Sequence, residues 1–301
     1  MSVSFFSPSF SNILYSVIPL GEKGLEFIET NTRSPGLTGG GGDHLSIFQA
    51  FCIYCGVKYF VLSKFSIFRA IFFLIGFSLL LMSIFLSART GFVVLFLLFS
   101  WDVFYTLFIK AGNLIDKIKS LSIYIFIFIF TIVIITITYY VLKDSSYIRF
   151  FNRAFEVFIN YNNYGTFETN SSNTLLDMII IPDSITHLFF GNAHFGRGED
   201  FYLHSDIGYI RMLYGGGFFG LLILFSPLLF ISIVVIRIKC ASLVLIREII
   251  LALIFTLVVA NFKVVHYFGS QETFKLLLFL FTFMVLKTKD DIFYSSQRCE
   301  N

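Results

Sequence analysis

From Leu121 to Leu142 the chain reads LSIYIFIFIFTIVIITITYYVL, with no charged residue in the run. A bilayer core is roughly 30 Å thick and a helix rises about 1.5 Å per residue, so about 20 apolar residues cross it. This stretch is long enough to do so. Lipid offers no water partner to backbone polar groups, which makes helices the expected spanning elements. The alternating pattern of a membrane barrel is absent. The rest of the chain agrees. Hydrophobic residues make up 56% and charged residues 14%, against about 25% charged in soluble domains. Mean hydropathy is +0.82.

Working outward, six more apolar runs read as candidate spans: 45–62, 66–87, 91–109, 212–236, 246–262 and 273–287. The first and the sixth are the weakest. The sixth opens on Arg247 and Glu248 and closes near Asn261. The expected fold class is therefore all-α: a polytopic transmembrane helical bundle of about seven spans, with one large periplasmic loop carrying short amphipathic helices.

Lysine and arginine mark the cytoplasmic side of short loops. Lys58, Lys64 and Arg69 flank the first turn, and Lys110, Lys117 and Lys119 fill another. Arg237, Lys239 and Arg247 form a third group, and Lys287, Lys289 and Arg298 follow the last run. With seven spans all four groups fall on one side. The expected organisation is then a periplasmic segment 1–44, four spans over 45–142, a large periplasmic loop 143–211, three spans over 212–287 and a cytoplasmic tail 288–301. The N-terminal stretch MSVSFFSPSFSNILYSVIPLG shows no charged leader and no clear cleavage site, and reads as an outer segment with an interfacial helix; the alternative is an eighth span near residues 3–20, which would put the N-terminus inside.

The large loop mixes aromatic residues with charges. SSYIRFFNRAFEVFINY (145–161) keeps its apolar residues on one helical face and reads as an interfacial amphipathic helix. NYNNYGTFETNSSNTLL (160–176) reads as loop. A short helix is expected over 177–190, broken or kinked by Pro182.

Chemistry-bearing residues concentrate where that loop meets the next span, in FGNAHFGRGEDFYLHSDIGYIRMLYGGGFFG (190–220). His194, Arg197, Glu199, Asp200, His204, Asp206 and Arg211 fall within it. If residues 204–214 are helical, His204, Gly208 and Arg211 share one face, and Asp206, Tyr209 and Leu213 share roughly the opposite one. Gly208 would leave room for a ligand beside His204 and Arg211. The plain alternative is that His, Tyr and Arg merely mark the water interface. Arg89 in LSARTGF and Arg33 in TRSPGLTGGGGDH also fall on the outer side, where the positive-inside bias disfavours them. Arginine binds phosphate through paired hydrogen bonds, so outer arginines around one cavity suit a diphosphate-bearing lipid; helix-end snorkelling is the competing account of Arg89.

Other chemistries find little footing. Net charge of +3 is too small to suggest nucleic acid. The His, Glu and Asp spacings match no familiar zinc pattern, and no nucleotide fingerprint or G-x-S-x-G elbow stands in a convincing context. Cys52 and Cys55, in FCIYCG, read as two small buried hydrophobes on one helix.

The run Ser205–Leu213 (SDIGYIRML), followed by GFFG at 217–220 and an apolar helix, resembles the bacterial O-antigen polymerases. LSARTGF resembles the serine/arginine signature of that family, and TRSPGLTGGGGDHLSIFQAF is similar to its arginine–glycine loop. His204-Ser205 with Gly217 and Gly220 is also similar to the related O-antigen ligases, with the spacing off by about two residues. The resemblance covers about residues 30–290.

It implies an undecaprenyl-diphosphate-linked glycan as substrate at the periplasmic face of the bacterial inner membrane, and no cofactor or metal. A chain-length regulator and a flippase are the implied companions. Since family members have around ten to twelve spans, it also implies an N-terminally shortened member. Asp206 or His204 would act as general base on the acceptor hydroxyl. Arg89 and Arg211 would stabilise charge on the leaving diphosphate. Arg33, Arg197, Tyr209 and Gly208 would bind substrate. The alternatives are the ligase reaction onto lipid A core, a lipid-linked-sugar transporter, and a scaffold without an active site.

Overall fold

The computed structural model describes residues 42–63, 66–109, 113–143, 148–193, 205–238, 243–263 and 272–298. They are helical, and no strand occurs among the described residues. The chain divides into two compact units, Met1–Glu168 and Thr169–Asn301.

The first unit holds α1 (Asp43–Leu62), α2 (Ile67–Ser87), α3 (Thr90–Phe104, continued by one π-helical turn, Tyr105–Ile109), α4 (Leu114–Leu142), α5 (Ile148–Ala154) and α6 (Glu156–Tyr164). Its core is the packing of α1 against α2 and α3, around Ile47, Phe51, Tyr54, Leu81, Ile84 and Leu98. Close approach has a sequence cause. A Cβ on Gly91 would lie 2.7 Å from the Ser46 carbonyl oxygen, so only glycine lets α3 start this near α1. Polar groups inside are matched: Gln49 donates to Ser83 at 2.7 Å, and Ser87 donates to the Ser83 carbonyl at 2.7 Å. In contrast, α4 turns Phe126, Phe128, Ile129, Ile132 and Val133 outward. Such a face is ruinous in water and comfortable in lipid.

The second unit holds α7 (Asn170–Asp177), α8 (Ile185–Phe190), α9 (Gly208–Arg237), α10 (Val244–Ala260) and α11 (Glu272–Arg298). Its buried side chains include Met212, Leu228, Val235, Ile250, Leu253, Leu257, Leu277 and Met284.

Five helices among the described residues are long and apolar enough to cross a membrane: Asp43–Val61, Ile67–Ser87, Thr90–Phe108, Leu121–Val141 and Gly208–Arg237. Each coincides with an expected span. The other two expected spans are helices too, but α10 has 17 residues, and α11 runs past its apolar part into charged residues 287–291. The chain is a multi-pass membrane protein with five such helices.

Three local expectations change. Within the expected amphipathic segment 145–161, the described part from Ile148 is two helices, broken at Phe155. The break sends the Phe155 ring to Phe85 (5.6 Å between centroids) and Phe151 (4.5 Å). The stretch 160–176 is not all loop. α6 runs into it and ends on left-handed Gly165. α7 then starts from a capping box, in which Thr169 accepts from the Ser172 N–H at 3.1 Å and Ser172 accepts from the Thr169 N–H at 2.8 Å. Finally, 177–190 is helical only from Ile185, beyond Pro182.

Candidate functional site

In the first unit the site residue is Arg89. Ser87 ends α2, Ala88 is extended, and Arg89 precedes α3. The turn is held from both sides: Ser87 is buried in the helix bundle, and Thr90 donates to Asp43 at 2.5 Å, tying the start of α3 to the first turn of α1. Arg89 Nη1 then meets Glu156 Oε2 at 2.6 Å, with the two side chains 22% and 27% exposed. Glu156 reaches this point because α5 is pinned by rings. Phe151 lies 6.2 Å from Phe85 and 5.1 Å from Tyr139, so α6 begins above the α2–α3 turn. Four residues of SARTG thus have a physical job: Ser87 in the core, Arg89 toward the large loop, Thr90 to α1 and Gly91 for close packing.

The opposite end of the same helices holds a second polar cluster. Lys58 of α1 pairs with Asp102 of α3, and the Tyr124 hydroxyl of α4 donates to the same carboxylate. All three are buried, Lys58 at 4% and Asp102 at 1% exposure. Lys58 was expected among the cytoplasmic flanking charges. The structure corrects this: it lies one turn inside the end of α1, neutralised by Asp102. The signal available in the sequence was three polar residues at similar depth in three apolar runs. Pairing them needs the helix order in space.

In the second unit, Ser205, Asp206 and Ile207 are extended, and helix begins only at Gly208. The helical wheel over 204–214 therefore fails for Asp206, which sits before the helix. Ser205 is buried and its hydroxyl accepts from the Ile207 N–H at 3.3 Å. The Asp206 N–H points at the Met178 sulfur, 3.4 Å away. Asp206 is half-buried just ahead of the α9 N-terminus, where a negative charge is favoured. Gly208 is buried and Arg211 half-buried on the first turns of α9. Tyr209 docks on the end of α10: its hydroxyl donates to the Val258 carbonyl at 2.8 Å and its N–H to the Asn261 carbonyl at 3.3 Å. Its ring stacks on Phe225 at 5.6 Å. Those carbonyls belong to a helix C-terminus and have no intrahelical donor.

The glycines that follow have a role the sequence reading missed. Gly217 takes φ +64° and breaks α9 into a short helix, 208–216, and a long one, 218–237. The break frees the carbonyls of Tyr214 and Gly215, and these accept from the N–H groups of Asn192 (2.8 Å) and Ala193 (2.9 Å). A side chain on Gly217 would collide with the Phe189 backbone, and one on Gly191 with Gly215. The GGG run is a backbone-to-backbone seam. The long piece, at about 1.5 Å per residue, is still about 30 Å and crosses a bilayer alone.

Arg33, Arg197 and His204 lie outside the described residues, as do His194, Glu199 and Asp200. Arg89 belongs to the first unit; Asp206, Gly208, Tyr209 and Arg211 belong to the second. Cys52 and Cys55 are free thiols, half-buried. Among the described residues no three His, Cys, Asp or Glu side chains gather as metal ligands would. No protein-family model matches the chain, and neither does a curated protein or a solved structure.

Proposed function

We propose that the chain is a glycosyltransferase of the O-antigen polymerase type. It joins undecaprenyl-diphosphate-linked repeat units at the periplasmic face of the bacterial inner membrane. The observation that carries this reading is Arg89. A guanidinium sits on a short turn between two apolar helices, at the end of the first unit away from Arg69 and Lys117, and largely shielded from water. A shielded arginine at such a helix end suits the developing charge of a leaving diphosphate. Glu156 holds it in place from the large loop.

In the second unit Asp206 is the general base in this reading, because it precedes the helix and is not committed to a helix face. Arg211, one turn into α9, is the guanidinium that the second unit offers to a diphosphate. Gly208 lets the acceptor approach; Tyr209, tied by its hydroxyl to Val258, contributes a ring edge and not a hydrogen bond. Arg33, Arg197 and His204 complete the substrate-contacting set. The glycan's bond to the lipid diphosphate breaks as the acceptor hydroxyl attacks; the acceptor's proton passes to Asp206, and undecaprenyl diphosphate departs with the bonding electron pair as a trianion. A chain-length regulator and a flippase are the companions this reaction calls for.

Lys58–Asp102–Tyr124 favours a second reading, transport of a lipid-linked sugar, since ionisable residues inside a helix bundle commonly mark a pathway. The test separates the two. Deleting the reading frame is expected to leave lipopolysaccharide that stops at one repeat unit on a gel. Lipopolysaccharide bearing no O-antigen at all would instead favour transport or ligation. Arg89→Ala, Arg211→Ala and Asp206→Ala should each reproduce the deletion at unchanged protein level. An intact glycan ladder in all three would defeat the assignment.

A further inference from the structure

From Leu176 to Phe190 the chain carries apolar side chains that no described residue covers. Leu176, Ile179, Ile181, Ile185 and Phe190 are all exposed, Ile185 at 76%. An apolar surface this continuous marks a partner or a membrane.

Its continuity decides which. The Phe189 ring lies 5.9 Å from Phe219 and 6.4 Å from Phe218, and Phe190 lies 5.4 Å from Phe219. Phe218 and Phe219 open the long half of α9, and are exposed together with Leu222 and Ile223 further along it. That half is long and apolar enough to cross a membrane, so its exposed face belongs to lipid. The α8 rings Phe189 and Phe190 lie against the rings that open that face. The Gly191 and Gly217 seam fixes α8 there by backbone bonds, so the patch is not a loosely held loop.

We propose that residues 176–190 form a membrane-seated shelf, with α8 and the preceding extended segment lying in the bilayer interface against acyl chains. Depth follows from the backbone. Residues 179–184 are not helical, and unpaired backbone groups are excluded from the hydrocarbon centre. The shelf therefore sits about 5–10 Å into the boundary between headgroups and acyl chains, the depth of interfacial helices. Asp183, Ser184, Thr186 and His187, all exposed, supply its polar side toward the headgroups. The inference is independent of glycosyl transfer. It assigns a surface within the segment that the sequence analysis assigned to the large periplasmic loop.

The test uses the full chain in lipid vesicles, with Trp101, the sole tryptophan, replaced by Phe. Ile185→Trp and Phe190→Trp are read separately, so that one poorly folded variant does not decide the matter. Phe230→Trp, midway along the long half of α9, is the deep reference. The expected result is that both shelf tryptophans lose most of their emission to phospholipid brominated near the headgroup. They should respond less to bromine near the chain end, and little to aqueous iodide. Phe230→Trp should show the reverse preference between the two bromolipids. Strong iodide quenching without bromolipid quenching would overturn the proposal, placing the shelf in water. Shielding from both quenchers would overturn it too, because a protein partner or a second copy would then cover the face.

Discussion

Replacing Lys58 with Met leaves the Asp102 carboxylate buried among α1, α3 and α4 with only the Tyr124 hydroxyl as partner. Loss of one member of a buried pair typically costs about 3–5 kcal/mol. Lys58→Met should therefore destabilise the first unit by about 3–4 kcal/mol. Asp102→Asn, which keeps an acceptor for Tyr124 but removes the carboxylate charge that Lys58 pairs with, should do about the same. Lys58→Met with Asp102→Asn removes both charges and should come back to within about 1 kcal/mol of the parent. The double-mutant coupling is then about 5 kcal/mol or more. Reversible unfolding in mixed micelles with increasing dodecyl sulfate, followed by circular dichroism, gives all four free energies. Additive single effects, with coupling under about 0.5 kcal/mol, would refute the pairing.

Three further outcomes are expected. Gly217→Ala should destabilise by about 2 kcal/mol or more, through left-handed strain and collision with Phe189. Gly220→Ala, whose new methyl meets open space, should instead be neutral or stabilising by about 0.5–1 kcal/mol in a helix; the same unfolding titration measures both. Arg89→Lys should lose long glycan chains nearly as fully as Arg89→Ala, because an ammonium lacks the planar donor fork; a gel of the lipopolysaccharide reads this at matched protein level. Tyr209→Phe should cost about 1 kcal/mol through its lost bond to Val258 and leave glycan length unchanged, separating docking from substrate contact.

The apolar runs were legible because length and hydropathy are local properties. Leu121–Val141 and Ile67–Ser87 announce themselves residue by residue. The turn at Arg89 was legible for the same reason, as a charge between two such runs. Its partner was not. Glu156 lies 67 positions away and is brought near by the ring cluster around Phe85 and Phe151, which depends on how α5 folds back. Lys58 was misplaced because a lysine near a helix end looks alike whether it faces water or a carboxylate. Its burial is decided by Asp102 on a neighbouring helix. The start of α9 was off by a few residues because SDIGYIRML suits a helix by composition, while Ser205 caps the Ile207 N–H and holds 205–207 extended. Pro182 was read correctly as a breaker because its effect is intrinsic to one residue. The GGG seam was not read, since its reason lies in a second strand of backbone, 189–193.

The most direct measurement places the purified chain in vesicles with undecaprenyl-diphosphate-linked repeat units. It then follows both glycan length and release of undecaprenyl diphosphate. The account predicts chains of several repeats, one diphosphate lipid released per bond made, and neither product with Asp206→Ala or Arg211→Ala. Repeat units that stay single, with no lipid diphosphate released by the parent chain, would contradict it.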